Sequence, residues 1–143
     1  MLCGPKDIGD VLIAAVGPFA GIAVEAADIL SRHGVQATVV DPRWVLPVPE
    51  SLVKLAELAL LVVTIEDNGL NGGFGSVFAA RLRAAGVNLP IRSLGVPQQF
   101  VAHASRNQVL TALGLTAADV ARSISGWLAE LVGAQASVKG VSA

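Results

Sequence analysis

The chain has no tyrosine, one cysteine, two histidines and one methionine among 143 residues, and six aromatic residues in all: Phe19, Trp44, Phe74, Phe78, Phe100 and Trp127. A lone Cys3 excludes an internal disulfide and suits a reducing, cytoplasmic setting. It stands near the chain start with no motif that would activate a thiolate, so it is not expected to be a nucleophile. His33 and His103 do not combine with cysteine or carboxylates at metal-ligand spacing, and no metal ligand set is expected. Charged residues are scarce, at 15% with a formal net charge of −1. There is no basic stripe interleaved with aromatics, which excludes an electrostatic reason to bind nucleic acid. Long apolar runs are also missing. The longest uncharged stretch, Val11 to Val24, is broken by Gly17-Pro18 and falls short of the ~18–20 residues a membrane-spanning helix requires. Asp7 and Asp10 stand between Lys6 and that run, where a secretory signal needs a basic segment, so neither export nor membrane insertion is expected.

What is present is apolar: 53% of residues are hydrophobic. A chain of this length makes one domain with its own core. So apolar a composition points to surface covered by a partner.

Strand and helix patterns alternate. VLIAAV (Val11–Val16) reads as a first strand. Gly17-Pro18 then turns the chain into a helix over Pro18–His33, with Pro18 in its first turn and Phe19, Ile22, Ala23, Ala26, Ala27 and Leu30 on its buried stripe. Val35–Val40 is a second strand, and Arg43–Pro49, preceded by Pro42, is a rigid extended connection. Glu50–Glu57 is a short helix with Leu52, Leu55 and Ala56 inward. Leu60–Ile65 is a third strand, rich in β-branched residues and apolar on both faces, as in parallel sheets covered by helices. A glycine-rich bend follows (Gly69, Gly72, Gly73, Gly75), then a helix over Gly75–Ala85 with Val77, Phe78, Leu82 and Ala85 on one face. Pro90–Leu94 is a weaker strand. Ser105-x-x-Gln108 forms a capping box for a helix ending at Gly114, and Thr116-x-x-Asp119 opens a last helix with Val120, Ile124, Trp127, Leu128 and Leu131 inward. The expected organisation is a lead over 1–9, a domain over 10–132 and a flexible tail over 133–143. Right-handed βαβ crossovers then give an α/β fold with a parallel sheet between two helical layers.

Four places invite a functional reading. The Gly17 turn fails the dinucleotide fingerprint, because Phe19 and Ile22 stand where glycines must admit a pyrophosphate; Asp41 is then a loop acid before a proline. The bend from Glu66 and Asp67 through Asn68, Gly72, Gly73 and Gly75 lacks a P-loop's Lys-Ser/Thr pair, and its two acids would repel an anion. Its glycines serve tight packing, within the chain or against a subunit. His103 precedes a capping serine and lies near Arg106 in sequence, with no identifiable partner for base catalysis. Arg43 beside Trp44 is the composition of a contact surface, or of a stacked pair in the core.

The segments DVLIAAVGPFAGIAVEAADIL, VVDPRWVLPVPESL, VVTIEDNGLNGGFGSVFAARL and LGVPQQFVAHASRNQVL, in that order over about Asp10–Leu131, resemble the C-terminal domain of the 1-deoxy-D-xylulose-5-phosphate synthases, of the transketolase group, in an actinobacterial form. The resemblance implies a three-layer α/β/α sandwich with parallel strand order 2-1-3-4. The family's antiparallel edge strand would fall on Met1–Gly9, which is short and turn-rich, so that strand is expected to be missing or vestigial and the edge beside the second strand bare.

The resemblance also implies a cytoplasmic, homodimeric transferase of isoprenoid and thiamine biosynthesis. That enzyme condenses pyruvate with glyceraldehyde 3-phosphate, using thiamine diphosphate and magnesium. The cofactor residues of such enzymes lie in two preceding domains. This chain has no G-D-G…N motif, and no catalytic, cofactor-binding or metal residue carries over to it. Glu66, Asp67, Asn68, Gly72, Gly73, Gly75, His103 and Arg106, with Arg43 and Trp44, are instead candidate contacts to those domains or to a second subunit. The sequence here is HASR where HGSR is more usual, and Ala104 tolerates a positive φ less well than glycine. Two other readings stay open: a stand-alone module for a small anionic or nucleotide effector, and one subunit of a split thiamine enzyme.

Overall fold

The computed structural model describes residues 1, 9–67, 69–97 and 105–141, with side chains to residue 137. Four strands, β1 (Val11–Ala15), β2 (Ala37–Val40), β3 (Leu61–Glu66) and β4 (Ile91–Gly95), form one sheet in the order β2-β1-β3-β4. All three pairings are parallel, with Val11 opposite both Ala37 and Leu61, and Val62 opposite Ile91. The helices are α1 (Ala20–Arg32), α2 (Glu50–Glu57), α3 (Phe74–Ala84), α4 (Arg106–Ala112) and α5 (Ala117–Val141).

The side-chain period of two along a strand divides the core into two layers. Val11, Ile13 and Ala15 of β1 and Leu61, Val63 and Ile65 of β3 pack with Phe19 and with Ala23, Ala26 and Leu30 of α1 and Val120 and Ile124 of α5. The alternate residues Leu12, Ala14 and Val62 pack with Leu52, Val53 and Ala56 of α2 and Phe74, Phe78 and Leu82 of α3. Every residue of β1 and β3 is buried. This is the α/β/α sandwich that the doubly apolar strands require. Phe74 and Phe78 stack with ring centroids 5.5 Å apart, adding to the area that each buries.

Several boundaries differ from the sequence pattern. The turn after β1 is a short 3-10 helix, Gly17–Phe19, and α1 proper begins at Ala20. The face of α3 starts at Phe74, and Ala85 is exposed. Glu66 extends β3 by one residue beyond its apolar run. The residues from Gly133, expected to form a flexible tail, continue α5 as far as Val141. The segment Ala134 to Val141 contains no proline, and alanine, glutamine and lysine propagate a helix already nucleated against the core. The segment Met1–Gly9, where the family's edge strand is expected to be missing or vestigial, lies almost wholly outside the described residues. Among the described residues β1 is the one strand neighbour of β2.

Candidate functional site

In a parallel sheet all strands end on one side, so the connections after β1, β2, β3 and β4 share the carboxyl edge. The candidate contact residues on the described part of the chain lie there, but they behave differently from one another.

Glu66 is the last residue of β3 and is completely buried. It is not available as a contact, which corrects the expectation for this residue. Its Oε2 accepts the backbone N–H of Phe74 at 2.7 Å, and its Oε1 accepts that of Gly75 at 2.9 Å. These are first-turn donors of α3, which have no partner within the helix. A carboxylate at that end also meets the positive pole of the helix. The two glycines follow from this arrangement. A Cβ on Gly73 would fall inside the contact distance of both Glu66 carboxylate oxygens, and one on Gly75 would strike the hydroxyls of Thr64 and Ser93. Those two hydroxyls are themselves hydrogen-bonded at 2.9 Å. Gly73 and Gly75 are therefore packing residues within the chain. Gly72, with φ +77°, supplies the left-handed step that returns the bend to the helix.

Asp67 stands outside this clasp. Arg106, at the start of α4, donates to Asp67 Oδ2 at 3.2 Å, and its guanidinium lies 5.6 Å from the ring centroid of Phe19. The structure thus joins two segments that are 39 residues apart in sequence, and Arg106 lies over Phe19 in the turn after β1. The pair is half-exposed. Ser76 Oγ donates to Leu70 O at 3.1 Å and fastens the flank of the same bend. The expected capping box is present, with Ser105 N–H donating to Gln108 Oε1 at 2.9 Å. Arg43 and Trp44 are both exposed, Trp44 by 69%, which excludes the stacked core pair. Asn68 and His103 lie outside the described residues. His33, at the end of α1, directs Nδ1 to Ile29 O at 2.8 Å.

Among the described residues no set fits the magnesium of a thiamine cofactor. Among the described residues no three of histidine, cysteine, aspartate and glutamate converge on one point. Both oxygens of the buried carboxylate already serve the α3 backbone. Asp67 is neutralised by Arg106. Among the described residues no helix is long and apolar enough to cross a membrane. The described part of the arrangement offers fastened connections at one edge of the sheet.

Comparison with known proteins agrees with this geometry. Residues 6–120 match the family model described as transketolase, C-terminal domain. The chain is 63% identical over 131 residues to 1-deoxy-D-xylulose-5-phosphate synthase of Rhodococcus jostii (strain RHA1), covering 92% of this chain and 20% of that protein. It is 65% identical over 120 residues to the same enzyme of Nocardia farcinica, covering 84% and 19%. It therefore spans about a fifth of the length of these relatives. Among solved structures, a split-gene transketolase described as an inactive β4 tetramer is 32% identical, with TM-score 0.75 over 87% of this chain and 42% of that one. A transketolase variant from Pichia stipitis, 18% identical with TM-score 0.59, shares the fold. With four parallel strands in the order found and the family match over most of its length, the chain belongs to the transketolase C-terminal domain family.

Proposed function

We propose that this chain is the docking lobe of a 1-deoxy-D-xylulose-5-phosphate synthase and has no turnover alone. In the whole enzyme, thiamine diphosphate and magnesium supply the chemistry that joins pyruvate to glyceraldehyde 3-phosphate, and the residues that hold them belong to other domains. The observation that carries this reading is the 63% identity to a fifth of the Rhodococcus jostii enzyme. The docking surface is the carboxyl edge. Asp67 and Arg106 present one coupled charge pair there, and Gly72 shapes the bend between them and α3. Either a neighbouring domain or the second subunit of a cytoplasmic homodimer would meet that edge.

Calorimetric titration of thiamine diphosphate with magnesium into the purified chain tests the reading. The expected result is no binding heat. Stoichiometric heat would overturn it. The same reading, with the catalytic parts on a separate chain, makes this protein one subunit of a split enzyme. The likeness to a split-gene transketolase favours that version, and an adjacent reading frame encoding the G-D-G…N motif would distinguish it.

A further inference from the structure

The charge pair at the carboxyl edge is only half exposed, and a second feature at that edge is far more open. Residues 43–47, Arg-Trp-Val-Leu-Pro, are all exposed in succession, with Trp44 at 69% and Leu46 at 65%. The segment is held at both ends. Pro42 is buried before it, and Val48 after it packs with Val40 and Leu52 in the core. Pro47 restricts the backbone between these anchors, and Pro42 and Pro49 restrict it at the two ends. The result is a ridge whose apolar side chains have nowhere to fold back. A cleft of about 320 Å³ runs beside it, lined by Val40, Asp41, Arg43, Ser51 and Leu55 among others. An exposed tryptophan next to an arginine on a preset backbone is the composition of an interface anchor, and it orders few groups on binding.

We propose that this ridge is the apolar anchor by which the lobe seats on the thiamine-diphosphate-binding remainder of the synthase. The inference rests on the docking-lobe reading above. The occupant follows from area. A stable standard interface buries about 800 Å² per partner, while a tryptophan supplies at most about 250 Å². Trp44, Val45 and Leu46 together, each only partly exposed, fall short of what two free copies of this chain need to hold together. A partner joined covalently, or held at other points as well, needs less, because its effective concentration is already high. The relatives carry about four-fifths of their length outside the matched segment, which is a partner of that kind.

The test replaces the matched 131 residues of the Rhodococcus jostii synthase with this chain and compares variants in that full-length protein. Trp44→Asp with Leu46→Asp is expected to lower kcat/KM at least tenfold and to split one melting transition into two. Circular dichroism of the same variant in the isolated chain is expected to be unchanged. Leu58→Asp with Leu60→Asp, which also removes exposed apolar side chains but at the other end of the sheet, is expected to stay within twofold. An inactive parent chimaera overturns the docking-lobe reading itself. An active chimaera that is indifferent to the ridge variants overturns the ridge alone. Sedimentation of the isolated chain as a dimer that Trp44→Asp dissolves overturns the occupant, and makes it a second copy.

Discussion

The carboxylate of Glu66 fills the space that a Cβ on Gly73 would occupy. The acid at the end of β3 and the glycine before α3 are thus one device. The side chain reaches across the bend and ties the first turn of the helix to the sheet, and the glycine leaves room for it.

Glu66→Gln keeps the shape of that side chain but turns an amide –NH2 toward a backbone N–H. One charge-assisted bond is lost, and a buried donor is left facing a donor. The expected cost is about 2–3 kcal/mol, read from the urea midpoint at constant m value.

Gly73→Ala should also destabilise, by about 1–3 kcal/mol, the range for forced overpacking. Its φ of −76° is ordinary, so the cost comes from the displaced carboxylate and not from the backbone. In Glu66→Ala the clash is gone, and Gly73→Ala added to it should then cost much less; a double-mutant cycle measures this coupling. Gly21→Ala is the control. It lies in α1 with nothing within 4 Å of its would-be Cβ, and should stabilise the chain by about 0.5–1 kcal/mol.

Asp119 at the start of α5 accepts from Thr116 Oγ1 at 2.6 Å and from Arg122 at 2.8 Å. The Thr116 hydroxyl first, then Arg122, holds its pKa below the ordinary 3.8, against a smaller opposing effect of burial. A depressed folded-state pKa contributes stability that is present above the unfolded value and is lost as pH falls through the folded one. The contribution should therefore be complete above pH ~5 and disappear in strong acid. Carboxyl NMR titration should show Asp119 protonating below its unfolded value, and Thr116→Val should move it upward.

Arg106→Ala removes a half-exposed ion pair and a cation over Phe19. Surface pairs of this kind contribute about 0–1 kcal/mol, so the melting temperature of the isolated chain should move little. Association with the rest of a synthase should weaken more than folding does, as measured by binding of the same variant.

The α/β/α sandwich was legible because its cause is local. VLIAAV and LVVTI are apolar on both faces, and only helices on both sides of a sheet can bury such strands. The capping box at Ser105 was legible for the same reason, since its spacing is its mechanism. The role of Glu66 was not. In sequence it sits beside Asp67 at a bend and reads as the same kind of acid, yet Glu66 is the buried last residue of β3, turned to the start of α3, while Asp67 lies past the strand end and is half-exposed. The clue was available in the alternation of side chains along β3: Val62, Thr64 and Glu66 share one face. The pairing of Asp67 with Arg106 depends on the order in which strands join the sheet, which no local pattern states. The exposure of Trp44 was equally undetermined, since a tryptophan beside an arginine suits a core as well as a surface until the backbone places it.

The measurement that tests the central claim most directly is complementation. This chain is mixed with the four-fifths of the Rhodococcus jostii synthase that it does not match, and formation of 1-deoxy-D-xylulose 5-phosphate from pyruvate and glyceraldehyde 3-phosphate is followed. The account predicts no product from this chain alone and turnover once the two parts are combined. Deoxyxylulose phosphate formed by this chain alone, or a mixture that stays silent although both parts are folded, would contradict it.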